Sequence, residues 1–90
     1  MHIPLSAERL AALRAFLERS PDAEALPGGE YVVDLFEREV PLSLELQLTP
    51  DGAEVTAAAE LAFDEAQDGW YLSGRVEDER AIADALHEIP

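Results

Sequence analysis

After residue 30 the apolar side chains stop recurring every three or four positions and begin to alternate, and this change of period constrains the fold more than any other feature of the chain. Val40, Leu42, Leu44, Leu46 and Leu48 alternate without a break. Such a run suits a strand with one face buried and the other polar. Tyr31, Val33 and Leu35 before it repeat the pattern, as do Val55, Ala57, Ala59, Leu61 and Phe63, and then Trp70, Leu72 and Val76. Four strands in an antiparallel meander are predicted.

The turns set the expected register. Thr49-Pro50-Asp51-Gly52 is the strongest turn signal, and placing Thr49 opposite Glu54 keeps both apolar sets on one face, with Leu46 against Ala57 and Leu44 against Ala59. A turn at Arg38-Glu39 brings Leu35 opposite Leu42. The loop Asp64 to Gly69 brings Phe63 opposite Trp70 and Ala59 opposite Gly74, so small residues are expected at the sheet centre, beneath a closely approaching helix.

Helices flank the meander. Ser6 caps a helix over Ala7 to Arg19 whose Leu10, Leu13, Phe16 and Leu17 form one stripe, with Leu5 placed to staple on Leu10. Ser20-Pro21 ends it. Two prolines and Gly28-Gly29 mark residues 20–29 as an irregular connection anchored by Leu26. Asp78 caps a second helix over Glu79 to Ile89 that turns Ile82, Leu86 and Ile89 inward. The expected architecture is one α+β domain over residues 1–90, in the order α-β-β-β-β-α, with both helices on one face of the sheet. Four strands are about as wide as two packed helices, so the other face is left open.

With no cysteine, this domain cannot use a disulfide or a thiolate site. Its apolar runs are far below the ~20 residues that span a bilayer, and Met1-His2-Ile3-Pro4 does not resemble a secretion signal, so a soluble, cytoplasmic protein is expected. The net charge is −14. That excludes direct nucleic-acid binding and anionic membranes as natural partners and favours a basic protein surface. The periodic apolar residues, 48% of the chain, argue against disorder despite the charge. Only Glu8 and Glu18 of the 20 acidic residues lie in the first helix, where Arg9, Arg14 and Arg19 balance them. The sheet and second helix carry the rest, against Arg38, Arg75 and Arg80.

No constellation signals catalysis. His2 and His87 read as surface residues, no serine or threonine stands in a pattern that would activate it, and Gly28-Gly29 precedes a strand instead of opening a helix around a phosphate. Asp64 to Gly69 lacks the alternating ligands of a calcium loop and reads as a solvated hairpin. A non-enzyme without cofactor or metal is expected.

The candidate partner-binding residues are therefore those placed outward: Asp34, Glu45, Glu54, Glu60 and Glu77 with Phe36 and Tyr71 on the open face, and Asp84 and Glu88 on the second helix. Asp84 and Glu88 form a like-charge i,i+4 pair, with Glu88 on the wrong side of the helix dipole, which suggests a use for them. Val32, Pro41, Ala58 and Ala62 complete an apolar patch ringed by acids, a pattern of protein interfaces. In size and charge the chain resembles acidic anti-restriction and anti-CRISPR proteins, a likeness of composition with no motif behind it. The leading expectation is an inhibitor that mimics DNA and blocks the basic nucleic-acid-binding surface of its target. Carboxylates at ~6.8 Å along a strand would mimic the ~1.7 Å charge spacing of a duplex only partly. An immunity protein or antitoxin against a basic toxin is the alternative, and a non-inhibitory interaction domain with a salt-adapted acidic surface a third. The chain is expected to be a monomer or an edge-strand homodimer, with Tyr31-Val32-Val33 as the exposed edge.

Overall fold

A computed structural model describes residues 1–90 and shows an α+β fold of two helices and one antiparallel sheet. The elements are β1 (His2–Pro4), α1 (Ala7–Arg19), β2 (Ala23–Ala25), β3 (Glu30–Leu35), β4 (Leu42–Thr49), β5 (Gly52–Asp64), β6 (Gly69–Arg75) and α2 (Glu79–His87). Six strands replace the expected four. β1 and β2 are three residues each, too short to display a period.

Local chemistry sets the helix ends. The Ser6 hydroxyl accepts from the Arg9 amide at 3.2 Å, and the Asp78 carboxylate accepts from the Arg80 amide at 3.0 Å. α2 stops at His87, two residues before the expected end, yet Ile89 is still buried. The Arg9 guanidinium donates to the carbonyl oxygens of Leu86 (3.4 Å) and Ile89, satisfying acceptors that the end of α2 leaves free and placing a cation at its negative pole. No helix is long and apolar enough to cross a membrane.

Both helices pack on the same face of the sheet. Leu10, Leu13 and Leu17 of α1 and Ile82, Ala85 and Leu86 of α2 share one core with Val33, Leu35, Leu42, Leu44, Leu46, Val55 and Ala58. The strand order is β1-β5-β4-β3-β2. β6 pairs with the far part of β5, on the edge where β1 covers the near part. Residues 20–29 are not irregular throughout, because the stretch between Pro21 and Pro27 is free to extend as β2. Gly28 and Gly29, at φ +85° and +81°, close the hairpin to β3. Tyr31, Val32 and Val33 are paired with Ala25, Glu24 and Ala23, so this segment is not the exposed edge that its sequence suggests.

The register departs from expectation twice, and each departure turns a strand over. Leu35 does face Leu42. Thr49, however, pairs with Gly52 across a two-residue Pro50-Asp51 turn, tighter than the expected pairing with Glu54. Leu46 then faces Val55 while Glu45 faces Ala57, which leaves Thr56 as the extra residue of a β-bulge. Leu44 therefore meets Ala58 instead of Ala59, and Ala58 joins the core in place of Ala57. A second shift leaves Ser73 without a partner between Leu61–Leu72 and Glu60–Gly74, so Gly74 faces Glu60 and not Ala59.

One extra residue inverts every side chain that follows it. Phe63, Trp70 and Leu72, expected in the core, are 45%, 48% and 64% exposed. Tyr71, expected on the open face, alternates with Trp70 and lies with Ala62 on the helix side, beyond the reach of the helices and 51% exposed. No residue of β6 is buried. The distal half of β5 and all of β6 form an arm at one end of a molecule 42 Å long and 25 Å wide.

Candidate protein-binding surface

The arm carries an aromatic cluster on the open face. Phe63 and Trp70 are direct cross-strand partners with ring centroids 5.4 Å apart in a T-shaped arrangement. Phe36, following β3, brings its ring to 4.9 Å from Trp70 at a tilt of 55°. Edge-to-face geometry of this kind adds about 1 kcal/mol per pair beyond burial. The cluster is thus fixed in place while remaining half open to solvent. Leu61, at 8% exposure and outside the helix-side core, lies in the same row as Phe63 and Leu72.

Beside the cluster the open face sinks into a depression of about 780 Å³. Its floor is made of small side chains, Ser43, Ala57 and Ala59 with Gly74, and Glu45, Arg75 and Glu77 stand among its walls. Ala57 and Ala59, expected under a helix, are turned to this side by the Thr56 bulge. Two segments of β5's edge are covered, by β1 up to Val55 and by β6 from Ala58, which leaves Thr56 and Ala57 between them without a strand partner on that side. The depression continues through this gap as far as Ile82 of α2.

The nine residues expected to bind a partner do not form one stripe. Asp34, Glu45 and Glu54 share the open face with Phe36, and Glu77 lies at the end of β6 with its carboxylate 3.7 Å from the Arg75 guanidinium. Glu54 lies beside β1, where the Met1 amino group is 3.2 Å from its carboxylate and donates to the Val55 carbonyl at 2.9 Å. Glu60 pairs with Leu42 and, like Tyr71, belongs to the helix side. Asp84 lies on α2 and Glu88 at its C-cap, across the sheet from the aromatic cluster. Glu88 accepts from Arg38 Nε at 3.0 Å, so its place near the end of α2 has a structural partner and needs no binding role to account for it.

The histidines are apart from this surface. The His2 ring lies 3.5 Å from the Asp51 carboxylate, and His87 Nδ1–H donates to the Ala83 carbonyl at 2.7 Å within its own helix. In the β5–β6 loop the Asp64 carboxylate accepts from the Ala66 amide at 2.9 Å, closing an Asx turn, and Asp68 takes a left-handed φ of 51°.

Sequence reasoning missed Phe63, Trp70 and Leu72 because their alternation is the same on either face. The available signal was Thr56-Ala57-Ala58-Ala59, a stretch in which the apolar pattern gives no preference for a side. Compared with protein-family models, with curated proteins and with solved structures, the chain matches none.

Proposed function

We propose that this chain is an acidic protein-binding domain that acts by occupation, docking the open face of its β5–β6 arm against a basic surface of a nucleic-acid-binding protein and inhibiting it. The observation that carries the reading is the Phe36–Trp70–Phe63 cluster, whose Phe63 and Trp70 are half exposed, with Leu72 beside it. A large apolar group ordered on a rigid sheet and open to water marks a contact surface. Asp34 and Glu45 on the same face and Glu77 at its margin give the rim a negative charge, and the overall charge of −14 steers a basic partner toward it.

Binding of this kind divides between two terms. The aromatic centre supplies the salt-independent part, and the carboxylates supply the rate of encounter and the salt dependence. Asp84, Glu88 and Glu60 contribute to the long-range field only. The test is capture from cell lysate at low salt by immobilised wild type and by a Trp70→Ala/Leu72→Ala variant. The reading expects a basic nucleic-acid-binding protein that is retained by the wild type, elutes as salt is raised, is displaced by DNA and is lost with the variant. A partner retained equally by both forms would overturn the placement of the site. A single small toxin that DNA does not displace would replace inhibition of a nucleic-acid-binding protein with immunity.

A further inference from the structure

β6 is a free sheet edge. It hydrogen-bonds to β5 on one side and to nothing on the other. The Leu61 amide donates to Pro41 on the β4 side, so Leu61–Leu72 is a non-hydrogen-bonded pair of the β5–β6 ladder. The amide and carbonyl of Leu72 consequently point to the open edge, and so do those of Trp70 two residues earlier. An exposed edge is ordinarily guarded by charge. Here the guard is thin: Arg75, the last residue, is the one charged side chain of Gly69–Arg75, and the strand contains no carboxylate in a chain that has 20, although β2, β3, β4 and β5 each carry at least one.

We propose that the free edge of β6 pairs antiparallel with β6 of a second copy of this chain. The strand complements itself. In a two-fold pairing centred on Tyr71, Trp70 of each copy lies opposite Leu72 of the other, and their outward amides and carbonyls are aligned to bond. Trp70 and Leu72 from both copies meet on the open face, and the two Tyr71 rings meet on the helix side. Asp68, just before the strand, comes next to Arg75 at the other end of its partner strand. Arg75 is otherwise engaged only by an exposed contact with Glu77 at 3.7 Å. The dimer joins two open faces into one continuous surface with two aromatic clusters.

Each copy carries −14, so the apolar edge associates against electrostatic repulsion. Screening that repulsion strengthens the dimer as salt rises, opposite to the salt response expected for a basic partner. The dimer is thereby separable from the proposed inhibitory role and can be tested on the purified chain alone. Sedimentation equilibrium at low and high salt is the experiment, with a Leu72→Pro variant. Proline at 72 removes a donor that faces the free edge and leaves the β5–β6 ladder bonds intact. The expected result is a monomer–dimer equilibrium that tightens with salt and a dissociation constant raised about tenfold or more in the variant. Leu72→Lys, which places a charge on the strand without changing its backbone, gives the same loss if the proline variant does not fold. A chain that stays monomeric at high salt, a dimer that weakens with salt, or one indifferent to both substitutions overturns the proposal.

Discussion

The Thr56 hydroxyl donates to the Glu45 carbonyl at 3.3 Å, across the bulge that Thr56 itself creates. Ser73 repeats the arrangement at the second bulge, donating to the Glu60 carbonyl at 3.2 Å. In both places a small hydroxyl residue is the one without a cross-strand partner, and its side chain bonds the opposing strand. Thr56 decides which face of the sheet carries the aromatic side chains, and Ser73 turns β6 back after Leu72, so that Val76 packs against the core.

Replacing Thr56 by Val keeps the branched side chain and removes the hydrogen bond. The expected cost is about 1 kcal/mol, read as a lower urea midpoint at unchanged slope. Deleting Thr56 should cost considerably more, because the slip drives Ala57, Ala59, Leu61 and Phe63 toward the helices and withdraws Ala58 from the core. Equal effects of the two changes would show that the bulge does not set the facing of the arm.

The helices were legible in the sequence because their signals are local and redundant. Ser6 and Asp78 cap where expected, and the Leu10, Leu13, Leu17 stripe points one way only. Assignment of both helices to one face followed from the width of the sheet, about that of two packed helices, and the unbroken alternation of Leu42, Leu44 and Leu46 marked the side they cover. The remainder depends on phase. Alternation states that neighbours point apart, and a bulge in the three-alanine run Ala57-Ala58-Ala59 costs little because any of them fits either side. The acidic part of the site was partly readable, since Asp34 and Glu45 precede the disturbance in the sheet. Glu60, Tyr71 and Trp70 follow it and were inverted.

Trp70 is the only tryptophan, and its ring is about half exposed. Its emission should be that of a partly solvated indole, quenched more efficiently by neutral acrylamide than by iodide, which the protein's charge repels. Trp70→Ala should cost about 2 kcal/mol of stability, mainly the two ring contacts with Phe36 and Phe63. Leu44→Ala, in the fully buried sheet centre, should cost about 2–5 kcal/mol. Denaturation of the pair checks whether the arm lies outside the core.

Gly52 lies opposite Pro4 in the β1–β5 pairing. A Cβ at this position would stand 2.1 Å from the Ile3 carbonyl oxygen, a backbone atom that cannot swing away. Gly52→Ala should therefore push β1 from the sheet edge and cost about 2 kcal/mol or more. Hydrogen exchange at the Val55 amide, which donates to Met1 at 2.7 Å, should accelerate in this variant. A protected Val55 amide would contradict this account of the glycine.

The Arg38–Glu88 pair joins the β3–β4 connection to the end of α2 at 3.0 Å. Glu88 remains more than half exposed, so Glu88→Gln should cost no more than about 1 kcal/mol. Partner binding should fall only by the small change that one distant charge makes. A large loss would restore Glu88 to the contact surface.

The central claim is that the open face of the arm meets the partner, and the single tryptophan gives a direct reporter. The measurement is fluorine NMR of the chain labelled with fluorotryptophan, titrated at low salt with the protein recovered in the capture experiment. The account predicts that the Trp70 resonance shifts or broadens with the titration and recovers as salt is raised. A resonance unmoved at saturation would show that the partner binds elsewhere on the acidic surface.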